Sequence, residues 1–447
     1  MEKDNKQIIR SWTFYDWANS VFPLVITSAI FPNFYDFVTT HDANGNFTGK
    51  SIQLLGIAFE NQNIYSFVYA FALFIVVMLT PILSGIADYL GNKKMFLQFF
   101  CYLGSISCMG LYFFNRDHLM LSFIPFITAT IGFWGSLVYY NSYLPQIASP
   151  ENQDKVSARG FALGYFGSSL LLIICLIGIM VFKYDPITHQ GFFKVKYSFL
   201  LVGIWWIAFA QYTFKYLPKK SHDHKITNKD GLFSKGFKEL SNVYAQIKLM
   251  PQLKRFLTSY FFYNMGVQTI MVVAVLFARN EIDWGNDPVV AEKTKTSALI
   301  VSILIIQFVG IAGSFLFSWM SRQIGNVKTL IVTILIWIFI CVFTYGVVHT
   351  PFEFYIVAFL VGLVMGGVQA LSRSTYSKYL PETEDHTSFF SFYDVIEKLG
   401  MILGTISFGM ISQLTGGMRN SILSLIVFFI IGLIVMFPLT RKKKLEL

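Results

Sequence analysis

Charged residues are scarce in this sequence. Only 13% of its 447 residues are Asp, Glu, Lys or Arg, whereas soluble proteins carry about 25%. Hydrophobic residues make up 54% of the chain and aromatic residues 17%. So few charges could not cover the surface of a water-soluble protein of this size. The composition therefore excludes an ordinary soluble protein and predicts an integral membrane protein.

Cysteine is also rare, and its placement does not indicate chemistry. All four cysteines, Cys101, Cys108, Cys175 and Cys341, fall inside apolar runs. Their spacing fits neither a disulfide framework nor a zinc site. Free cysteine is commonly a small, buried, apolar side chain. We expect no metal site and no cofactor.

Motifs for nucleotide hydrolysis and covalent catalysis are missing from the sequence. It has no phosphate-binding loop of the G-x-x-x-x-G-K-S/T type, so an ATP-driven pump would need a separate subunit. No nucleophile–base set is recognisable, and we therefore do not expect an enzyme. The net charge of +10 does not indicate nucleic-acid binding, because membrane proteins collect Lys and Arg in their cytoplasmic loops.

Long apolar runs dominate the sequence. A helix that crosses a bilayer needs about 20 residues, and twelve runs reach this length, at about 11–36, 62–87, 95–114, 119–144, 158–182, 197–217, 252–278, 296–320, 328–348, 352–376, 389–414 and 419–440. They must be helices, because an open sheet would leave backbone groups unpaired in lipid. The sequence predicts an all-α membrane protein with twelve transmembrane helices and both termini on one side.

The distribution of basic residues predicts the orientation. Most of the 35 Lys and Arg residues lie in loops on the side that holds both termini. By the positive-inside rule, this side is cytoplasmic, and we expect a bacterial inner membrane. The one long polar stretch, 218–251, lies on the same side. It predicts a cytoplasmic linker between two six-helix bundles, 1–217 and 252–447.

The two predicted bundles share short sequences at corresponding helices. LGNKK at 90–94 recurs as IGNVK at 324–328, YLP at 143–145 recurs at 379–381, and FYD at 14–16 recurs as FYN at 262–264. Three matches in the same order indicate a duplication. Secondary transporters are often built from such repeats, with the substrate site near the bilayer midplane. The architecture is typical of a transporter.

Across its whole length, the chain resembles the major facilitator superfamily. The segment SGIADYLGNKK at 84–94 is similar to the cytoplasmic signature between helices two and three of that superfamily, although Ser84, Tyr89 and Asn92 depart from it. More specifically, YDWANS at 15–20, GGVQALSRS at 366–374 and FFSFYDVIEK at 389–398 resemble the family of the autophagy-related vacuolar amino-acid effluxer and its bacterial relatives. Glu397 stands where that family has a small residue, and Thr405 where Pro often follows Gly404.

The eleventh predicted helix carries three ionisable residues, Asp394, Glu397 and Lys398. They share one face at 100° per residue, and each would cost roughly 2.5–3.5 kcal/mol at a bilayer centre. Asp394 and Lys398 have the i,i+4 spacing of an ion pair. Because a buried carboxylate can exchange a proton near neutral pH, we predict a proton-coupling site. The alternatives are a static ion-pair network and a wetted vestibule.

Other polar residues follow single faces of predicted helices. The resemblance implies that helices one, four, seven and ten line a substrate cavity, and the candidates on them are Asp16, Asn19, Trp134, Asn141, Asn264, Gln268, Gln369 and Arg373. Arg373 could clamp a substrate carboxylate or anchor the helix end in the cytoplasm. Asp16 could instead belong to a structural gate. The amides of Asn264 and Gln268 could instead join helices.

Asp88, Lys93 and Lys94 surround the turn after the second predicted helix. The resemblance implies a gating latch in which Asp88 meets the N-terminal end of the eleventh helix, where a carboxylate gains from the helix dipole. The alternative is a helix cap with charges that set the topology.

These patterns predict a secondary active transporter that works by alternating access. The resemblance implies that it moves an amino acid or a similar small polar solute, coupled to protons or another ion. One alternative is an antiporter of drugs or organic cations, and another is a non-transporting receptor or scaffold. We expect the protein to act as a monomer in the lipid bilayer, without nucleic acid.

Overall fold

The computed structural model describes residues 3–41, 47, 49, 51–54, 57–182, 192–218, 232–285, 287–383, 386–415 and 417–440. The α-helices are α1 (Lys6–Asn19), α2 (Phe31–Thr40), α3 (Asn61–Leu90), α4 (Lys93–Gly110), α5 (Leu119–Asn141), α6 (Leu144–Ile147), α7 (Pro150–Val181), α8 (Tyr197–Tyr216), α9 (Leu232–Leu249), α10 (Pro251–Glu281), α11 (Pro288–Ile324), α12 (Asn326–Gly346), α13 (Pro351–Tyr379), α14 (His386–Thr415) and α15 (Met418–Met436). Strands β1 (Ser51–Leu54) and β2 (Ile57–Glu60) form a short antiparallel hairpin.

Twelve helical segments of the described chain are long and apolar enough to cross a membrane. Each overlaps one of the twelve predicted runs, so the predicted all-α membrane fold is confirmed. Large apolar side chains such as Phe71, Phe99 and Phe339 are more than half exposed on these helices. A soluble monomer rarely exposes so much apolar surface, whereas a lipid-facing surface requires it.

The first span is not one regular helix. Between α1 and α2, residues Phe22–Ala29 form a π-helix. Pro23 has no backbone N–H and cannot join the α-helical ladder. Its carbonyl accepts hydrogen bonds from the hydroxyls of Thr27 at 2.7 Å and Ser28 at 2.8 Å. π-helical turns inside helices often mark functional sites, and this one begins three residues after Asn19.

Helix α7 begins at Pro150, earlier than the predicted start at 158. Pro150 follows Ser149, and proline is favoured in the first helical turn, where a backbone N–H would have no partner. The polar residues 151–159 are therefore helical although they are not apolar enough for a membrane run. This extension places Asp154 on a helix.

The contacts divide the chain into two compact units. The C-terminal unit comprises Met1–Asn5, Asn141–Ala162 and Leu232–Leu447. The N-terminal unit comprises Lys6–Tyr140 and Leu163–Gly231. Of the predicted linker 218–251, residues 219–231 lie outside the described part of the chain, and most of the remainder is α9.

Glycine allows close helix contacts inside each unit. In the C-terminal unit, a Cβ atom on Gly366 would lie 2.3 Å from the carbonyl oxygen of Gly310, across the contact of α11 with α13. In the N-terminal unit, a Cβ atom on Gly132 would lie 2.4 Å from the Cα atom of Gly104. Small residues let helix backbones approach in this way in membranes.

Candidate functional site

The three ionisable side chains of α14 form one cluster in the C-terminal unit. Lys398 donates a hydrogen bond to Oδ1 of Asp394, and its Nζ lies 3.5 Å from Oε2 of Glu397. Lys398 is 0% exposed and Asp394 is 4% exposed, whereas the side chain of Glu397 is 18% exposed. One buried cation therefore faces two carboxylates, of which Glu397 is the more accessible.

Helix α10 supplies amide groups to this cluster. The Nε2 atom of Gln268 donates to Oε1 of Glu397 at 3.2 Å, and the Nδ2 atom of Asn264 donates to the backbone carbonyl of Glu397 at 3.4 Å. Both amide side chains are buried. The structure thus brings two predicted cavity residues onto a predicted coupling residue. It also joins α10 to α14, which is the alternative role that the sequence left open.

Asp394 has a second oxygen that is buried without a hydrogen bond. Its Oδ2 atom has no hydrogen-bond partner among the described groups. An unsatisfied, buried acceptor costs about 1–3 kcal/mol, and more when it is charged. A proton on this oxygen would convert it into a donor. Oδ2 of Asp394 is therefore a buried acceptor that the described groups leave unsatisfied.

Three buried tyrosines, Tyr260, Tyr263 and Tyr393, lie near Glu397, and the sequence did not single them out. Tyr260 on α10 stacks on Tyr393 of α14 with ring centroids 4.4 Å apart. The hydroxyl of Tyr263 lies 2.7 Å from the hydroxyl of Ser372 on α13. All three rings are buried. The i,i+3 spacing of Tyr260 and Tyr263 placed them on one face of α10, but only the folded chain shows what they contact.

Arg373 on α13 is buried, and its guanidinium binds protein groups. Its Nε atom donates to the hydroxyl of Ser157 at 2.9 Å, Nη2 donates to the carbonyl of Ser157 at 2.9 Å, and Nη1 donates to Oδ1 of Asn141 at 3.2 Å. The guanidinium carbon lies 4.2 Å from the ring centroid of Phe161. Two predicted cavity residues, Arg373 and Asn141, thus contact each other. Gln369 lies half-buried one turn before Arg373.

A second polar cluster surrounds Asp154 at the start of α7, and no role was predicted for it. Lys378 lies 2.7 Å from Oδ2 of Asp154. Ser321 donates to Oδ2 at 3.0 Å, and the amide of Asn326 donates to Oδ1 at 2.7 Å. Asp154 is 2% exposed. The sequence predicts this cluster only if two features are recognised. These are the helix start at Ser149–Pro150 and the position of Asn326 in the second copy of the repeat.

In the N-terminal unit, Asp16 is tied to α5. The hydroxyl of Tyr140 donates to Oδ2 of Asp16 at 2.7 Å, and the indole N–H of Trp12 donates to the carbonyl of Tyr140 at 2.8 Å. Asn19, one turn further along α1, is 1% exposed, and its Nδ2 atom has no hydrogen-bond partner among the described groups. Trp134 lies half-buried on α5. Asn19 therefore keeps an unused donor beside the π-helix.

The predicted gating residues lie around the end of α3. Gly91 caps the helix in a left-handed conformation with φ 61°, which glycine adopts without strain. Lys94 donates to the carbonyl of Leu217 at 2.7 Å. Leu217 caps the C-terminal end of α8, where the last carbonyls lack partners within the helix. Lys93 is buried and Asp88 is half-buried. The contact of Asp88 with α14 stays a prediction.

Solved transporter structures of the major facilitator superfamily share the fold of these twelve spans. The fold matches the solved structure of the transporter FucP with a TM-score of 0.66 at 13% identity, over 98% of this chain and 99% of that one. It matches the human organic anion transporter MFSD10 with a TM-score of 0.67 at 12% identity, over 97% and 100%.

Within this class, the sequence identifies the family. The profile of the family described as "Vacuole effluxer Atg22 like" matches residues 4–446, and the chain belongs to this family. It is 32% identical to the MFS-type transporter YxiO of Bacillus subtilis (strain 168), over 95% of this chain and 93% of that protein. It is 22% identical to Autophagy-related protein 22-1 of Aspergillus niger, over 86% and 73%. The resemblance seen in the sequence is confirmed, and the protein is a membrane transporter.

Proposed function

We propose that this protein is a secondary active transporter that couples proton movement to the movement of a small polar solute, an amino acid or a similar molecule, by alternating access. The observation that carries the proposal is the α14 cluster, in which buried Lys398 faces both Asp394 and Glu397. Ionisable residues within spanning segments commonly form ion pathways and proton relays.

The arrangement of the cluster suits proton exchange. Lys398 neutralises one carboxylate, and its nearer partner is Asp394. Glu397 lies farther from Lys398 and is the more exposed of the two carboxylates, so we assign the exchanged proton to it. Protonation of Glu397 would weaken its contact with Lys398 and alter the hydrogen bond from Gln268. Each proton that binds to or leaves Glu397 would thus change the hydrogen bond between α14 and Gln268 on α10.

The solute class rests on the family and on the polar groups available. The family is described as a vacuole effluxer, which favours export. Asn19, Asn264 and Gln268 offer uncharged donors and acceptors of the kind that orient a polar solute in a transporter. The segments 15–20, 366–374 and 389–398 carry the resemblance that suggests amino acids. The amide of Asn19 is the group we assign to the solute in the N-terminal unit.

We also propose the gating residues and the membrane topology. We assign gating to Asp88, Lys93 and Lys94 and add the Asp154 cluster, because it fixes the start of α7 against α12 and α13. Both termini are cytoplasmic in this proposal, the membrane is a bacterial inner membrane, and the repeats are the six-helix bundles 1–217 and 252–447. The transporter works as a monomer.

Proton movement driven by a solute gradient tests this function. Purified protein in vesicles that contain a pH-sensitive dye would be given, one at a time, gradients of amino acids, sugars and organic cations. We expect amino acids to change the internal pH, and protein-free vesicles to show no change. A response to organic cations alone would instead support a drug–proton antiporter. Solute flux without any pH change would contradict proton coupling.

A further inference from the structure

An apolar groove of about 290 Å³ lies in the C-terminal unit, apart from the α14 ion cluster. Three helices supply its walls, and the apolar lining residues are Tyr244, Ile247, Leu257, Phe261, Phe392 and Ile396. The rings of Tyr244 on α9 and Phe392 on α14 stack with centroids 6.0 Å apart. The exposed side chain of Lys254 on α10 stands at the rim.

The groove continues onto an apolar stripe of α14. Phe392, Ile396, Leu399 and Leu403 follow one another at helical spacing, and the last two are 39% and 45% exposed. From residue 392 to residue 403 the helix rises about 16 Å. Half the hydrocarbon core of a bilayer is about 15 Å thick. The stripe therefore has the length of one acyl chain within one leaflet.

Helix α9 has the form of an interfacial helix. Val243 and Ile247 are buried against the rest of the unit, whereas Phe237 is 65% exposed and Tyr244 is 50% exposed. Lys238 and Lys248 are exposed on the same helix. Helices with large apolar residues and lysines on adjoining faces lie in the plane of the membrane–water interface. The composition of α9 therefore predicts that the groove opens at the level of the lipid headgroups.

Positive charge gathers beside the groove. The Nζ atom of Lys248 lies 4.4 Å from the ring centroid of Tyr244, which is itself a wall residue. Lys254 and Arg255 are exposed within the first five residues of α10, and the first turn of that helix has no acidic residue. The helix dipole disfavours cations at this end. An anion bound near this end of α10 would offset the cost, and it would pair with Lys248 and Lys254.

We propose that this groove binds an anionic glycerophospholipid from the surrounding leaflet. One acyl chain would lie in the groove and along the α14 stripe, and the phosphate would contact Lys248 and Lys254. The apolar lining accounts for the chain, and the two lysines account for a preference for anionic headgroups. The binding test that follows does not depend on transport, so its failure would leave the proposed function standing.

The shift in unfolding temperature of the detergent-purified protein reports binding, because a ligand that binds only the folded form stabilises it. The probes are phosphatidylglycerol, phosphatidylcholine, oleate and glycerol 3-phosphate. We expect the largest shift with phosphatidylglycerol, a smaller one with phosphatidylcholine, and none with glycerol 3-phosphate, which lacks acyl chains. An equal shift from phosphatidylcholine, or an equal or larger one from oleate or glycerol 3-phosphate, would overturn the proposal.

Three variants locate the binding site. Lys248→Gln combined with Lys254→Gln should weaken the apparent affinity for phosphatidylglycerol by roughly fivefold for each lysine. Thr258→Trp, at an exposed wall residue of the groove, should reduce the shifts from both phospholipids. Lys328→Gln removes an exposed lysine from α12 and serves as the matched control. If Lys328→Gln lowers the affinity as much as the double variant does, the charge effect is general and the site is wrong.

Discussion

The guanidinium of Arg373 shows how far a residue's role depends on partners that are distant in sequence. The sequence placed Arg373 on the tenth predicted helix, as a solute clamp or as a cytoplasmic anchor. Its hydrogen-bond partners Ser157 and Asn141 are 216 and 232 positions away, so no local pattern could identify them. Buried hydrogen bonds of Arg373 thus join α13 to Ser157, near the start of α7, and to Asn141, at the end of α5.

The variant Arg373→Lys tests these hydrogen bonds. Lysine cannot reproduce the planar fork of arginine, so Arg373→Lys should leave Ser157 with unpaired groups. We expect the free energy of unfolding to fall by roughly 2 kcal/mol. Thermal unfolding of the purified protein measures it. Arg322→Lys, at an exposed position on α11, should have no measurable effect, and an equal loss in both variants would contradict the role of the hydrogen bonds.

A second residue-scale prediction concerns the pair of Asp394 and Lys398. Removal of Lys398 leaves the buried carboxylate of Asp394 without its cation, which costs about 3–5 kcal/mol. Lys398→Gln should therefore destabilise the protein strongly. When Asp394→Asn is added, part of the stability should return, because neither group is then charged. Thermal unfolding of both single variants and the double variant gives the coupling energy, and strictly additive losses would contradict a direct pair.

Local periodicity explains which site residues could be predicted. The i,i+4 spacing of Asp394 and Lys398 placed them on one face, and the structure shows them in contact. The hydrogen bond from Gln268 to Glu397 joins residues 129 positions apart. It depends on how α10 packs on α14, which a single-helix pattern does not contain. The Asp154 cluster was missed for the same reason.

At the scale of elements, helix contacts depend on a few glycines. A Cβ atom on Gly404 of α14 would lie 2.2 Å from the hydroxyl oxygen of Thr269 on α10. At Gly409, on the same helix, nothing lies within 4 Å of the added atom. The two positions differ only in what faces them, so they form a matched pair.

We therefore expect Gly404→Ala to destabilise the protein and Gly409→Ala not to destabilise it. Gly404→Ala forces α14 away from α10 and should cost about 1–3 kcal/mol. Gly409→Ala should be neutral or stabilise by up to about 1 kcal/mol, because alanine favours helix. The unfolding temperatures of the two variants measure the difference. Equal temperatures would contradict the close packing of α14 on α10.

The start of α7 gives a further prediction at this scale. The carboxylate of Asp154 accepts hydrogen bonds from Ser321 and Asn326 and pairs with Lys378. Asp154→Asn should loosen the first turns of α7 and speed their backbone hydrogen exchange. Glu151→Gln changes an exposed carboxylate in the same turn and should have little effect on exchange. If exchange is unchanged in Asp154→Asn, the cluster does not hold the helix.

At the scale of the whole molecule, the number of spans could be predicted because it depends on the lengths of apolar runs. The bilayer sets that length, and each run can be judged without its neighbours. The assignment of Asn141–Ala162 to the C-terminal unit could not be predicted in this way. It follows from contacts of that segment with the C-terminal helices, among them those of Arg373 and Asp154, which form only in the folded chain.

The measurement that tests the central claim most directly is pH-driven solute uptake by the Glu397→Gln variant in vesicles. Glu397→Gln keeps the shape of the side chain and removes the charge that faces Lys398. Glu60→Gln, at an exposed position before α3, is the matched control. We predict that Glu397→Gln still exchanges the solute downhill but no longer accumulates it with a pH gradient, whereas Glu60→Gln accumulates it normally. Accumulation at the wild-type level in Glu397→Gln would contradict the proton-coupling role of the α14 cluster.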